Sequence, residues 1–181
     1  MSKALGSWSA MRKYLEKQML APALRGRVRY NCSTAVGMDG CRFFEVYIDG
    51  KCFKRFSWET VNSYFIAMGY CEKPGPMSIR DYWEDFWPLL EKYPMNARTE
   101  YTDGEFSRAL QKYRSAPISE SLRGDDPIAL MFALLDRRSG RRTLEKLRCE
   151  ARGWPEWLRE IYALRRSCFA PHICNRAHIM L

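Results

Sequence analysis

The sequence predicts an α+β protein in which an N-terminal helix packs on a small three-stranded antiparallel sheet and a helical C-terminal half follows. Three observations predict it. Asp49-Gly50 stands between two strand-like runs, Arg42–Ile48 and Lys51–Phe56. It is the strongest short hairpin signal, because both turn residues must take positive φ. Upstream, Arg25, Arg27 and Arg29 alternate with Val28, Tyr30 and Cys32, the period-two pattern of a third strand with one basic and one apolar face. From Asp126 to Arg166 the chain carries helix caps and helical periodicity.

Taken in order, Ser7 is placed to cap a helix running from Trp8 to about Leu20, with Trp8, Met11, Leu15 and Met19 on one stripe and Pro22 and Gly26 ending it. The first strand leads through a turn containing Gly37, Asp39 and Gly40 into the hairpin. A two-residue loop places Glu45 opposite Lys54 and Val46 opposite Phe53. Ser57 is placed to cap a helix over Trp58–Met68, Gly69 follows it, and Lys73–Met77 is a break. Ser78 opens the next helix, with Ile79, Tyr82, Trp83, Phe86, Trp87, Leu90 and Tyr93 on its apolar stripe and Pro88 kinking it. Residues 94–104 read as loop and Asp103–Tyr113 as helix.

In the last third, Asp126-Pro127 is an N-cap acid followed by a first-turn proline. Ile128–Leu135 is apolar on every side, which predicts a central helix. It ends at Asp136-Arg137-Arg138-Ser139-Gly140, where cations meet the negative end of the helix dipole. A second helix carries Leu144 and Leu147, and a third begins at Pro155 with Trp157, Leu158, Ile161 and Leu164 inward. The organisation expected is residues 1–72 as helix, sheet and helix, 73–117 as connecting helices, 118–166 as a three-helix basic region and 167–181 as a tail. All of it is compatible with one compact domain.

The 181 residues are 46% apolar and 28% charged, with 30 Lys and Arg against 21 Asp and Glu, a formal charge of +9. That composition supports a packed core and a polyanionic partner. The longest apolar run, Ile128–Leu135, is far short of the roughly 20 residues a membrane span needs, so no membrane is expected. The first residues lack the apolar segment of a secretory signal, and seven cysteines, an odd number without a Cys-x-x-Cys pair, argue against a disulfide framework. A cytoplasmic location with reduced thiols is therefore expected. The two histidines, His172 and His178, lie near the C-terminus, so a Ser-His-Asp or Cys-His centre would need the tail to dock into the body. Phosphate-loop, dinucleotide and nucleophile-elbow motifs are absent. No cofactor is expected.

Several stretches resemble a family of small, uncharacterised bacterial proteins over roughly residues 8–166. They are Trp8-Ser9 with Arg12-Lys13 and Leu15-Glu16, Leu24–Val28, Ile48–Lys51, Pro117-Ile118 with Glu120–Leu122, Leu135–Arg138 with Gly140–Arg142, and Pro155–Trp157 with Tyr162 and Leu164-Arg165. The Leu-Asp-Arg-Arg-x-Gly-Arg-Arg stretch is the most specific part. The resemblance implies a bacterial, intracellular, single-chain protein and brings no activity, cofactor or catalytic residue with it.

Four candidate sites follow. Residues 137–166 hold ten Lys and Arg against four Glu, and Arg137, Arg138, Arg141 and Arg142 sit at a tight helix–helix turn where guanidinium groups can bridge phosphates. The competing explanation is that these arginines pair with the helix dipole and with Asp136, Glu145 or Glu150. Arg25, Arg27 and Arg29, with Lys51, Lys54 and Arg55, form a second basic surface interleaved with Tyr30, Phe43, Phe44, Tyr47 and Phe53, against the alternative that these aromatics are core. Cys168, His172, Cys174 and His178 form two Cys-x-x-x-His units of zinc-ligand chemistry, at a spacing that matches no standard finger. Asp39 with Asp49-Gly50-Lys51 faintly matches the acid…acid-x-Lys pattern of metal-dependent nucleases, although turn chemistry already accounts for Asp49. The function expected is a non-enzymatic intracellular binding protein with nucleic acid as partner. The alternative is a protein-interaction module, an inhibitor or immunity-type partner of a bacterial or phage protein, and a metal-dependent nuclease comes third.

Overall fold

The computed structural model describes residues 7–34, 42–71 and 79–169. The turn at Gly37–Gly40, the break at Lys73–Met77, the Ser78 cap, and His172, Cys174 and His178 lie outside them. The element order is α1 (Trp8–Lys13), running on as a π-helical turn Tyr14–Met19; β1 (Val28–Thr34), β2 (Arg42–Ile48) and β3 (Lys51–Phe56); then α2 (Trp58–Ala67), α3 (Ile79–Lys92), α4 (Asp103–Ser115), α5 (Ile118–Arg123), α6 (Pro127–Leu135), α7 (Arg141–Lys146) and α8 (Glu156–Ser167). The α+β class holds: an N-terminal helix, an antiparallel sheet of order β1-β2-β3, then helices.

Ser7 caps α1 by accepting the Ala10 N–H at 3.3 Å. The helix then widens, and the Leu20 N–H reaches back five residues to the Leu15 carbonyl at 3.1 Å. This turn seats Leu15, Met19 and Leu20 in the core and aims Glu16 at the sheet, where its Oε1 accepts the Tyr30 N–H at 3.0 Å. β1 is an edge strand, so that bond satisfies a donor that no neighbouring strand meets.

The hairpin turn is as expected, with Asp49 at φ 50° and Gly50 at φ 83°. The register is not. Tyr47 pairs with Cys52, but Val46 then pairs with Lys54 and Glu45 with Arg55. A bulge at Phe53 inserts one residue, and a one-residue slip exchanges the faces of everything beyond it. Lys54 therefore points inward, 8% exposed, its Nζ 2.6 Å from Glu100 and 5.6 and 5.7 Å from the ring centres of Tyr101 and Trp157. Burial pushes its amine pKa down, and the hydrogen bond to Glu100 opposes the shift. The first strand also begins later than its sequence pattern suggests: Arg25 and Arg27 precede β1 and only Arg29 lies on it.

α4 and α6 cover the inner face of the sheet. Phe106 stacks on Phe44 at 4.5 Å and meets Phe56 at 4.8 Å and Phe132 at 5.3 Å. α4 opens with a capping box, Thr102 Oγ1 accepting the Glu105 N–H at 3.1 Å and Glu105 Oε2 accepting the Thr102 N–H at 2.8 Å. Arg98, in the segment read from sequence as loop, is buried against the Glu105 carboxylate and also donates to the carbonyls of Tyr93 and Glu100. All nine residues of α6 are buried, as its apolar run predicts, and Asp126 Oδ1 accepts the N–H groups of Ile128 and Ala129 at 3.0 Å each. α5 is a helix that no sequence reading anticipated; six residues are too few for a periodic signal. α2 and α3 share a separate small core of Val61, Phe65 and Phe86, lined by Trp58, Tyr70 and Tyr93. Trp87, expected on the inward stripe, is instead 51% exposed.

Because α6 is the central element and Asp126 satisfies two of its first donors, Asp126→Ala should lower unfolding free energy by about 1–2 kcal/mol. Asp126→Asn should retain most of it, as read by urea denaturation.

Candidate functional site

The turn from Leu135 to Arg142 is built around a buried carboxylate. α6 ends where Asp136 turns to extended backbone. The Ala21 N–H donates to the Leu135 carbonyl at 3.0 Å and the Arg137 N–H to the Met19 carbonyl at 2.9 Å, so the turn is bridged to the end of the π-turn. Asp136 is 2% exposed. Its carboxylate accepts from the Tyr113 hydroxyl, from the Arg138 backbone N–H at 2.6 Å, and from Arg138 Nε and Nη2 at 3.1 and 2.8 Å. Arg138 Nη2 also donates to the Tyr113 hydroxyl at 3.0 Å. Burial, and then the hydrogen bond to Asp136, push the Tyr113 hydroxyl pKa well up. Ser139 is buried with its hydroxyl on the Ala133 carbonyl, and Arg165, 4% exposed, donates to the Ser139 carbonyl at 2.9 Å.

The four arginines expected to act together are thus divided. Arg138 is tied to Asp136 and Tyr113, although its side chain stays half exposed. Arg137, Arg141 and Arg142 are exposed. Arg165, counted from sequence among the basic residues, is a core residue, and burial pushes its pKa down.

Two residues that sequence reading did not single out pack on each other beside this region. Tyr14, half-buried on the π-turn, packs under Arg114 at the end of α4, with the guanidinium 5.1 Å from the ring centre. Burial raises the Tyr14 pKa. The charges of Arg138, Arg114 and Arg137 oppose that rise, and that of Asp136 adds to it. Neither Arg114 nor Arg137 forms an ion pair with a described residue. Helical periodicity could not have placed Tyr14 here, because the π-turn breaks the 3.6-residue phase.

Arg141 faces a different feature, a groove of about 440 Å³ between α7 and α8. Leu144, Tyr162, Ala163 and Phe169 line it, and Arg141, Glu145 and Arg166 stand at its edge. Arg166 Nη2 lies 3.8 Å from Glu145 Oε1, a long and exposed pair.

The second basic set is not one strand face. Arg27 is held bidentately by Asp49 at 2.9 and 2.8 Å across the base of the hairpin. Arg25 and Arg29 are exposed, and Arg29 lies opposite Tyr47. Of the interleaved aromatics, Tyr30 and Phe44 are core. Phe43 lies in the outer face, where Arg55 stacks on it at 4.9 Å. The centre of that face is Glu45, 3% exposed, which accepts from Arg55 Nε and Nη2 at 3.0 and 2.7 Å, from Asn31 at 3.2 Å and from the Tyr47 hydroxyl at 3.0 Å. Burial works to raise its pKa, but the hydrogen bonds from Arg55, Asn31 and Tyr47 prevail and hold it below the ordinary glutamate value.

Of the tail ligands only Cys168 is described, with its thiol on the Leu164 carbonyl at 3.4 Å. Among the described residues no group of three His, Cys, Asp or Glu is placed to hold a metal ion. Asp49 of the nuclease-like pattern is the hairpin turn residue paired with Arg27, and Asp39 lies outside the described residues.

Fold and site together define a basic α+β protein whose exposed arginines are set in place by an internal carboxylate clamp. The chain belongs to the SF0329 protein family, which matches residues 7–166. No curated protein and no solved structure matches it. No helix among the described residues is long and apolar enough to cross a membrane.

Arg138→Ala leaves the buried Asp136 carboxylate with two donors and should destabilise the protein by about 2 kcal/mol, a figure reduced because the guanidinium is half in water. Arg141→Ala should change stability by less than about 0.5 kcal/mol; chemical denaturation of both variants separates clamp from surface. For Glu45, whose folded pKa is depressed, the stabilisation is complete above the unfolded-state value of about 4.3 and drains away as pH falls through the folded value. Glu45→Gln should therefore cost about 1 kcal/mol at pH 7, and its gap from wild type should narrow as pH falls below the ordinary glutamate range.

Proposed function

We propose that this chain is a non-enzymatic, cytoplasmic nucleic-acid-binding protein that contacts the phosphate backbone through Arg137, Arg141 and Arg142, extended by Arg114 and Tyr14, with Arg138 setting the geometry of the turn. The observation that carries this reading is that Arg137, Arg141 and Arg142 are exposed on one turn and Arg114 is exposed over the Tyr14 ring, with neither Arg114 nor Arg137 ion-paired to a described residue. Unpaired guanidinium groups beside a hydroxyl are what a phosphate diester accepts as bidentate and single donors. Arg25 and Arg29 form a weaker second set, since Arg27 is neutralised by Asp49. The unpaired thiols of Cys32, Cys52, Cys71, Cys149 and Cys168 suit a reducing compartment.

A protein-interaction module is the second reading, favoured by Trp87 and Met68, both about half exposed on the α2–α3 pair. Substitution of these two residues by alanine leaves phosphate contacts intact, so the two readings separate experimentally.

Fluorescence anisotropy of the nucleic-acid-free protein with labelled DNA across a salt series tests the first reading. Binding should weaken steeply with salt, and the folded triple variant Arg137→Ala, Arg141→Ala, Arg142→Ala should flatten the log–log salt slope by roughly 2–3. No binding at roughly 50 mM salt overturns it, since low salt most favours such contacts.

A further inference from the structure

The groove between α7 and α8 differs from the rest of the basic surface because its lining is mostly apolar. Leu144 is fully buried and Tyr162 is 7% exposed. The Tyr162 hydroxyl donates to the Leu144 carbonyl at 2.8 Å and the Arg166 guanidinium lies 5.7 Å from the Tyr162 ring centre, so the floor is closed and the accessible apolar surface is that of Ala163 and Phe169. Ala163 and Phe169 form the walls, and the Phe169 ring is fixed under the Arg165 guanidinium at 4.6 Å. Two arginines stand at the edge, Arg141 and Arg166, against one acid, Glu145. The Arg166–Glu145 pair, at 3.8 Å and with both side chains more than 40% exposed, is weak and easily exchanged for another anion. The volume of about 440 Å³ lies in the range of small-ligand sites.

An apolar slot a few residues from the phosphate-contacting arginines, with cations on its edge, suits a flat ring joined to phosphates. We propose that this groove receives one unpaired nucleobase, with Arg141 and Arg166 on the flanking phosphates, so that the protein prefers single-stranded to double-stranded DNA. The inference rests on the nucleic-acid reading above and adds the form of the ligand. In a duplex each base is stacked on both faces and cannot enter. Phosphate contacts alone work the other way, because the duplex carries the denser charge. A single-strand preference therefore requires contacts to the bases.

The test uses the full chain and anisotropy with three labelled DNAs of equal length: a single strand, its duplex, and a single strand of abasic residues. The single strand should bind about tenfold tighter than the other two, the scale of one stacked base. Ala163→Trp fills the groove from an exposed helix position without altering charge. In a variant whose melting curve stays cooperative, it should bring single-strand affinity down to the abasic level and leave duplex affinity unchanged. Equal affinity for the base-bearing and abasic strands overturns the proposal even where duplex binding persists, as does a folded Ala163→Trp protein that keeps the preference. Failure to bind the duplex and both single strands removes the nucleic-acid reading itself, and the duplex arm distinguishes that result.

Discussion

The Asp136 carboxylate is the tie on which the arrangement of the other elements depends. It closes the fully buried helix α6, receives the Tyr113 hydroxyl from α4, and lies opposite Leu20 where the N-terminal segment crosses the turn. A carboxylate at 2% exposure carries a desolvation cost of several kcal/mol. That cost is offset because both oxygens accept hydrogen bonds, from one hydroxyl, one backbone N–H and one guanidinium. Removing any donor exposes the remaining cost, which is why a half-exposed arginine such as Arg138 has a structural weight that its surface position conceals.

The same logic recurs at three other places. Glu45 is enclosed by Arg55, Asn31 and Tyr47 on the outer sheet face. Arg98 is enclosed with Glu105 beneath the start of α4. Lys54 is turned inward onto Glu100 and two rings by the bulge. Together with Arg27, Arg138 and Arg165, these residues take part of the positive charge out of circulation. Because each pair removes one base and one acid together, the +9 formal charge is unchanged, but fewer of the 30 Lys and Arg are open to a polyanion. What remains outward near the clamp is a short set: Arg114 over Tyr14, Arg141 at the α7–α8 groove, and the exposed Arg137 and Arg142.

Local signals in the sequence were legible where a single residue carries the physics. Asp49-Gly50 set the hairpin turn, Asp126-Pro127 the start of α6, and the unbroken apolar run its burial. Class and element order followed from these. The parts that were not legible depend on residues far apart in sequence. The bulge at Phe53 is invisible to alternation because it is a local exception to it, and it changed the partners of Glu45 and Lys54 together. Tyr14 meets Arg114 only because the π-turn packs against the end of α4. Arg25, Arg27 and Arg29 look like one strand face by period, but two of them precede the strand.

The stretch from Leu135 to Arg142 shows how a motif should be divided before function is drawn from it. Leu135, Asp136, Arg138 and Ser139 each have a folding reason: core burial, the clamp, the grip on the clamp, and the seal on the Ala133 carbonyl. Gly140 leads into α7, whose first turn holds Arg141 and Arg142. Arg137 contributes its backbone N–H to the bridge, but its side chain has no such reason, and neither do those of Arg141 and Arg142. Exposed guanidinium groups gain little for stability from this position, because surface charge near a helix end is worth less than about 1 kcal/mol in water. A functional argument can therefore draw only on the outward residues. The inward ones fix their directions, and that rigidity is what makes a single loop able to present two distinct contact points.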